Sequence, residues 1–211
     1  ESSSDFMQAL VMIIALGVIV FVGTTAAGGL DAVIDNVRSI PSFLEFFGIA
    51  TPETVDGVQQ VAAGTPLFGE GTSYGALSVV SALAWGLGYF GVPQVLLRFM
   101  AIEKPEKIKL SRRIATIWVF IAMAVAIFIG VIGLTMVHEG AISAVTDPER
   151  IIIVIAQFMS KFGIVPALLA GLVMAGILAC TMSTCDSQLL AASSSISENI
   201  LRGVFHINLS H

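Results

Sequence analysis

The sequence predicts an all-α, multi-pass membrane fold, and three observations carry that prediction. Of 211 residues, 56% are hydrophobic and only 12% charged, about half the charge of a soluble domain. The apolar residues fall into four runs, each long enough for the roughly 20 residues that a helix needs to cross a bilayer. The few charges are sorted by sign between the connections. Mean hydropathy is +0.93, so most of the outer surface must face something other than water.

The first span occupies residues 1–28, with its apolar run from Phe6 to Ala27 carrying Gly17 and Gly23. The opening Glu1 to Asp5 has no initiator Met, no basic n-region and no signal peptide, so the chain is expected to be cut from a longer one. Residues 29–73 form a long polar connection with six acidic residues against one basic residue, Arg38. The second span, 74–100, is broken in its middle. After it, the stretch from Arg98 to Arg113 holds six of the ten Lys and Arg. Basic residues in short loops mark the cytoplasmic side, which puts 101–113 inside and 29–73 outside. The third span, 114–137, is cleanly apolar.

Residues 138–163 are an external connection. Within it, Thr146, Asp147, Pro148 and Glu149 read as a helix start, and Arg150 to Phe162 as a short helix lying over the bundle. The fourth span, 164–203, is apolar as far as Cys180 and then rich in Ser and Thr. Arg202 returns the chain to the inside, and 204–211 form a cytoplasmic end.

The break in the second span lies in Ala84-Trp85-Gly86-Leu87-Gly88-Tyr89-Phe90-Gly91-Val92-Pro93. Each interior Gly weakens a helix by roughly 1 kcal/mol and Pro by about 3. Backbone groups freed at membrane depth are tolerated only inside protein or along a wet cavity, and such breaks present backbone to ions and substrates in secondary transporters. Trp85 and Tyr89, four apart, share a helix face. Glycines of this kind also permit close helix packing; Trp, Tyr and Pro in the same stretch favour a functional break.

Cys180, Ser183, Thr184 and Ser187 fall at i, i+3, i+4 and i+7, one face of an otherwise apolar helix. Hard cations take oxygen ligands, and hydroxyls supply them without the desolvation burden of several carboxylates. The competing role of such hydroxyls is to bond their own helix carbonyls or to join helices. Asp186 is a carboxylate inside a span, by default a functional residue. Asp5, at the inner end of the first span, is either a second such acid or a solvated helix start. Cys180 and Cys185 point to different sides of one helix, so no disulfide is expected. His138, His206 and His211 have no metal-ligand spacing, and the methionines are packing residues. The absence of a P-loop, a nucleophile elbow and HExxH leaves ATP-driven and hydrolytic roles without support.

The strings W-G-L-G-Y-F-G-V-P followed by L-L-R-F-M-A, and later M-S-T-C-D-S-Q-L-L-A-A-S-S-S-I-S-E, closely resemble the sodium/solute symporter family. The likeness extends through S-D-F-M-Q at the start and R-R-I-A-T-I-W after the basic loop. The resemblance implies a fragment of a core of two inverted five-helix repeats, holding the last helix of the first repeat and three of the second. It implies sodium-coupled symport of a small amino acid, proline above others, by alternating access across a bacterial inner membrane. Trp85, Tyr89 and Pro93 would contact substrate. The Cys180 carbonyl with the Ser183 and Thr184 hydroxyls would form the main sodium site, and Asp5, Asp186 and Ser187 a second.

Two departures stand out: Cys180 replaces the usual Ala, and Val92 stands where the family's proline carriers have Gln. Other readings are the same fold carrying a sugar or short carboxylate, and the solute-sensing membrane module of a signalling protein. The expected partners are a small-molecule substrate, the lipid bilayer and the remainder of the same transporter; neither nucleic acid nor enzymatic chemistry is expected.

Overall fold

A computed structural model describes residues 2–56, 58–62, 65–92, 100, 102, 104–145 and 147–204, except for the side chains of 2–5, 58, 90, 198 and 200–202. Helix α1 runs Ser2–Ala26 and α2 runs Leu30–Ser39. Between them Gly28 and Gly29 take φ of 88° and 102°, left-handed backbone that Gly adopts without penalty, and the chain turns sharply. Six two-residue strands follow: β1 Gly48–Ile49, β2 Thr54–Val55, β3 Val58–Gln59, β4 Val61–Ala62, β5 Thr65–Pro66 and β6 Thr72–Ser73. They pair antiparallel as β1–β6, β2–β3 and β4–β5. Tyr74 N–H donates to the Phe47 carbonyl at 2.8 Å, extending the β1–β6 pairing to the start of α3, Ala76–Gly88. Helix α4 spans Lys107–His138, α5 Ile151–Ser160 and α6 Ile164–Ser195, which continues as a π-helical segment, Ile196–Val204.

Helices α1, α4 and α6 are long and apolar enough to cross a membrane. At 1.5 Å per residue α4 and α6 each extend about 48 Å, more than the roughly 30 Å of a hydrocarbon core. Helix α4 begins seven residues before Ile114, where the apolar run alone puts the start of the span, and takes in Lys107, Lys109, Arg112 and Arg113. Cations in a first turn oppose the helix dipole, but Lys and Arg are strong helix formers. Ile108 and Leu110 also continue the apolar pattern.

In the acidic connection, α2 is an ordered amphipathic helix. Val33, Asn36, Val37 and Ile40 are buried, at a spacing that keeps them on one face. Asp35 and Arg38 face outward in an exposed ion pair of 3.7 Å. The Asn36 amide Nδ2 donates to Thr135 Oγ1 at 3.1 Å, and that hydroxyl donates to the Val131 carbonyl at 3.0 Å. This buried pair fixes α2 across the end of α4.

Helix directions follow from the close contacts. A Cβ at Gly23 would lie 2.7 Å from Ile132 Cγ2, and one at Gly133 would collide with Ile151. The C-terminal ends of α1 and α4 therefore meet, and α5 lies across that acidic end. Asp147 caps the approach to α5, its Oδ1 accepting from Glu149 N–H at 3.1 Å; Thr146 lies outside the described residues. Helix α6 starts three residues after α5, beyond Gly163 with φ 113°, so it runs back antiparallel to α1 and α4. A Cβ at Gly176 would stand 3.1 Å from Ala15 Cβ and 3.8 Å from Met12 Cα.

The core formed here includes Ala15, Ile19, Ile132, Met136, Ile155, Met159, Ala170 and Val173. All of it lies in the half of the bundle toward the acidic end. Among the described residues, α4 has no buried residue before Ile129 and α6 none after Gly176.

Candidate functional site

The polar face of α6 continues its packing face. Ala170, Val173 and Gly176 are buried; one turn further on the same side come Cys180, Ser183, Thr184 and Ser187. Ser183 and Ser187 are half-buried, while Cys180 and Thr184 are exposed at the edge of that face. Thr184 Oγ1 donates to the Cys180 carbonyl at 3.1 Å and Ser187 Oγ to the Ser183 carbonyl at 3.1 Å. Bonding back to the own helix is thus what these two hydroxyls do in this structure. It also sets the carbonyl and hydroxyl oxygens side by side. Two oxygens sharing a hard cation at about 2.4 Å stand roughly 3 to 3.5 Å apart, so the pair needs little adjustment to serve as a chelate.

Helix α1 presents a matching face. Ile19 and Ala15 are buried, Met12 touches Gly176, and Gln8 and position 5 follow at helical spacing on the same side. Counting from the Gly176 contact along antiparallel helices, Gln8 comes level with Cys180 to Ser183, and position 5 with Ser183 to Ser187. Gln8 is half-buried, with its Oε1 withdrawn from solvent. Sequence reasoning passed over this residue because it sits inside a run that reads as apolar.

Asp186 is not brought to this face. It is exposed and lies about 100° of helix away from Ser187, turned from α1. Cys180 and Cys185 are free thiols.

Helix α3 holds the aromatic pair. It remains α-helical through both Gly86 and Gly88, tightens to a 3-10 turn at Tyr89–Gly91 and becomes extended at Val92, with φ −80° and ψ 113°. The rings of Trp85 and Tyr89 lie 6.1 Å apart, inclined at 54°. They share a face, and both are open: Trp85 is 75% and Tyr89 57% exposed. No residue of α3 is buried. Pro93 lies outside the described residues, as do His206 and His211; His138 is exposed at the end of α4.

Among the described residues, three helices long and apolar enough to span and a fourth apolar helix of thirteen residues define a multi-pass helical membrane protein. The apolar helices carry oxygen-bearing and aromatic side chains along their length. The chain belongs to the sodium:solute symporter family, which it matches over residues 2–209. It is 31% identical over 205 residues to the osmoregulated proline transporter OpuE of Bacillus subtilis, covering 97% of this chain and 36% of that protein. It is similarly 31% identical over 210 residues to the high-affinity proline transporter PutP of the same organism, covering 99% and 38%. Sodium/proline symporter 2 of Staphylococcus saprophyticus is 30% identical over 201 residues, covering 95% and 34%. The chain thus spans just over a third of the length of the curated relatives it matches. No solved structure matches it significantly.

Proposed function

We propose that this chain is the central part of a carrier that couples inward sodium movement to uptake of a small amino acid, with proline favoured by its relatives. The proposed setting is the bacterial cytoplasmic membrane, with the basic end of the bundle inside. Sodium is a co-substrate, held on α6 by the Cys180 carbonyl and the hydroxyls of Ser183 and Thr184. The observation that carries this reading is the 3.1 Å pairing of the Cys180 carbonyl with Thr184 Oγ1 at the open edge of a spanning helix. That edge lies beyond the packed core along the helix and leaves room for ligands from the rest of the transporter. A second sodium position lies between α1 and α6, with Asp5 and Ser187 as its ligands; the orientation of Asp186 favours leaving it out. Substrate binds at the unwinding of α3, against Trp85, Tyr89 and Pro93, where the freed backbone meets an amino acid's charged groups.

Sodium joins α6 to the remainder of the protein in the outward-facing state. Substrate then closes the pocket around α3, and the carrier turns inward. The membrane potential contributes about 2.3 kcal/mol per charge per 100 mV, enough for roughly fiftyfold accumulation per sodium at that potential.

The test is the Ser183→Ala, Thr184→Ala double variant of the full-length transporter in proteoliposomes. The sodium concentration for half-maximal uptake should rise at least about tenfold, the effect of losing roughly 1.4 kcal/mol of ligation. Uptake as steeply sodium-dependent as in the parent would refute the site.

A further inference from the structure

We infer that the basic half of α4 carries a site for one anionic phospholipid. Its phosphate meets Lys109, Arg112 and Arg113, and its acyl chains lie along Phe120, Met123 and Ile127. These residues fall on one side of the helix, which turns by about 100° per residue. The opposite side is the one that packs, through Ile129, Ile132 and Met136. The three cations and the three apolar side chains are all exposed. None of these cations stands in an ion pair among the described residues.

The strip is ordered along the helix axis as a lipid is along its own. Cations come first and apolar side chains follow. Between them the Thr116 hydroxyl donates to the Arg112 carbonyl at 2.8 Å, so the strip makes no unmet polar demand there. From Arg113 to Ile127 the helix advances about 21 Å. One leaflet with its headgroups measures roughly 20 to 22 Å, half of a bilayer. Past Ile127 the same side is taken up by the chain itself, where Gly130 and Leu134 line a cavity with Val61 and Pro66 of the β4–β5 hairpin. The open length thus matches a single leaflet. Charge decides the occupant: an apolar helix would leave three cations without counter-charge, whereas a phosphate accepts charge-assisted hydrogen bonds from all of them. The bound lipid supplies packing to the half of α4 that has no buried residue before Ile129.

The inference holds whatever solute is carried. It is tested on the purified full-length transporter by native mass spectrometry, with phosphatidylglycerol and phosphatidylcholine of identical acyl chains. Each Lys or Arg near an anionic membrane surface strengthens attachment about fivefold, so the parent should prefer phosphatidylglycerol by about tenfold or more. A parent without that preference overturns the inference. Lys109→Gln, Arg112→Gln and Arg113→Gln together should abolish most of the preference and leave phosphatidylcholine binding unchanged. Should that triple variant fail to fold, Arg113→Gln alone should weaken phosphatidylglycerol by about fivefold. Unchanged phosphatidylglycerol affinity in these variants overturns the inference. Arg112→Lys with Arg113→Lys keeps the charge and should keep the preference; a loss equal to that of the Gln variants overturns it, since charge would not be the cause. Glycerol phosphate, which has the anion without the chains, should not displace the lipid. Displacement as effective as by the lipid itself would make this a site for a soluble anion and overturn it as well.

Discussion

The two halves of α6 use the same helical face for opposite purposes. From Ile164 to Gly176 the face is apolar, and Ala170, Val173 and Gly176 are buried against neighbouring helices. From Cys180 to Ser187 it carries a thiol and three hydroxyls, and no described residue there is buried. Close packing in the first half allows little movement, because interiors at crystal-like density yield poorly. The second half is half-buried at Ser183 and Ser187, and it is the half that would admit a cation under the proposed function. One helix thereby supplies both an anchor and the proposed site. A substitution in the first half should cost folding, and one in the second should cost sodium dependence.

The largest effect should come from the packed half. Gly133→Val puts a branched side chain into the space held by Ile151. Overpacking of this kind costs about 1 to 3 kcal/mol and sometimes more, so full-length protein should lose most of its yield as monodisperse material on size-exclusion chromatography. Retained yield and melting temperature would show that this end is less tightly packed than described.

Next comes the buried pair at the acidic end. Asn36→Leu removes the donor to Thr135, and Thr135→Val removes the acceptor and leaves the Asn36 amide buried. Each should cost about 1 to 3 kcal/mol. The double variant should cost less than the sum, as expected for groups in direct contact; additive melting-temperature shifts would mean that the bond contributes nothing. The smallest effect sharpens the open half. Asp186→Asn should change the sodium dependence of uptake by less than about twofold, within the roughly 0.5 kcal/mol of a surface change, because Asp186 faces away from α1. A tenfold change would bring that carboxylate back into the ion path.

Three of the four apolar runs were legible as long apolar helices, because apolar length is a coarse signal that survives a few misplaced residues. The positions within them were legible only where spacing decides orientation. Cys180, Ser183, Thr184 and Ser187 could be grouped by helical period, and Trp85 with Tyr89 likewise. Asp186 shows the limit of that reasoning: its neighbour Ser187 is on the face and it is not, because one residue turns the helix by about 100°. Gln8 was hidden by its neighbours, since a lone amide barely alters the apolar average of a long run. Helix α2 was hidden by composition. Asp31, Asp35 and Arg38 made its segment read as a polar connection, although Val33, Val37 and Ile40 carried the period of a helix. The extent of α4 could not be read from hydropathy, because Lys107 to Arg113 favour helix while lowering the hydropathy.

The pairing of Gly48–Ile49 with Thr72–Ser73, reinforced by the bond from Tyr74 to Phe47, has an engineering consequence. It closes residues 50–71 into a side excursion whose two stems are clasped together. The spacing between α2 and α3 is then set by the clasp and not by the length of chain beyond it. Epitope tags or fluorescent reporters spliced near Asp56, in the turn between β2 and β3, would project from this connection without stretching the helices apart.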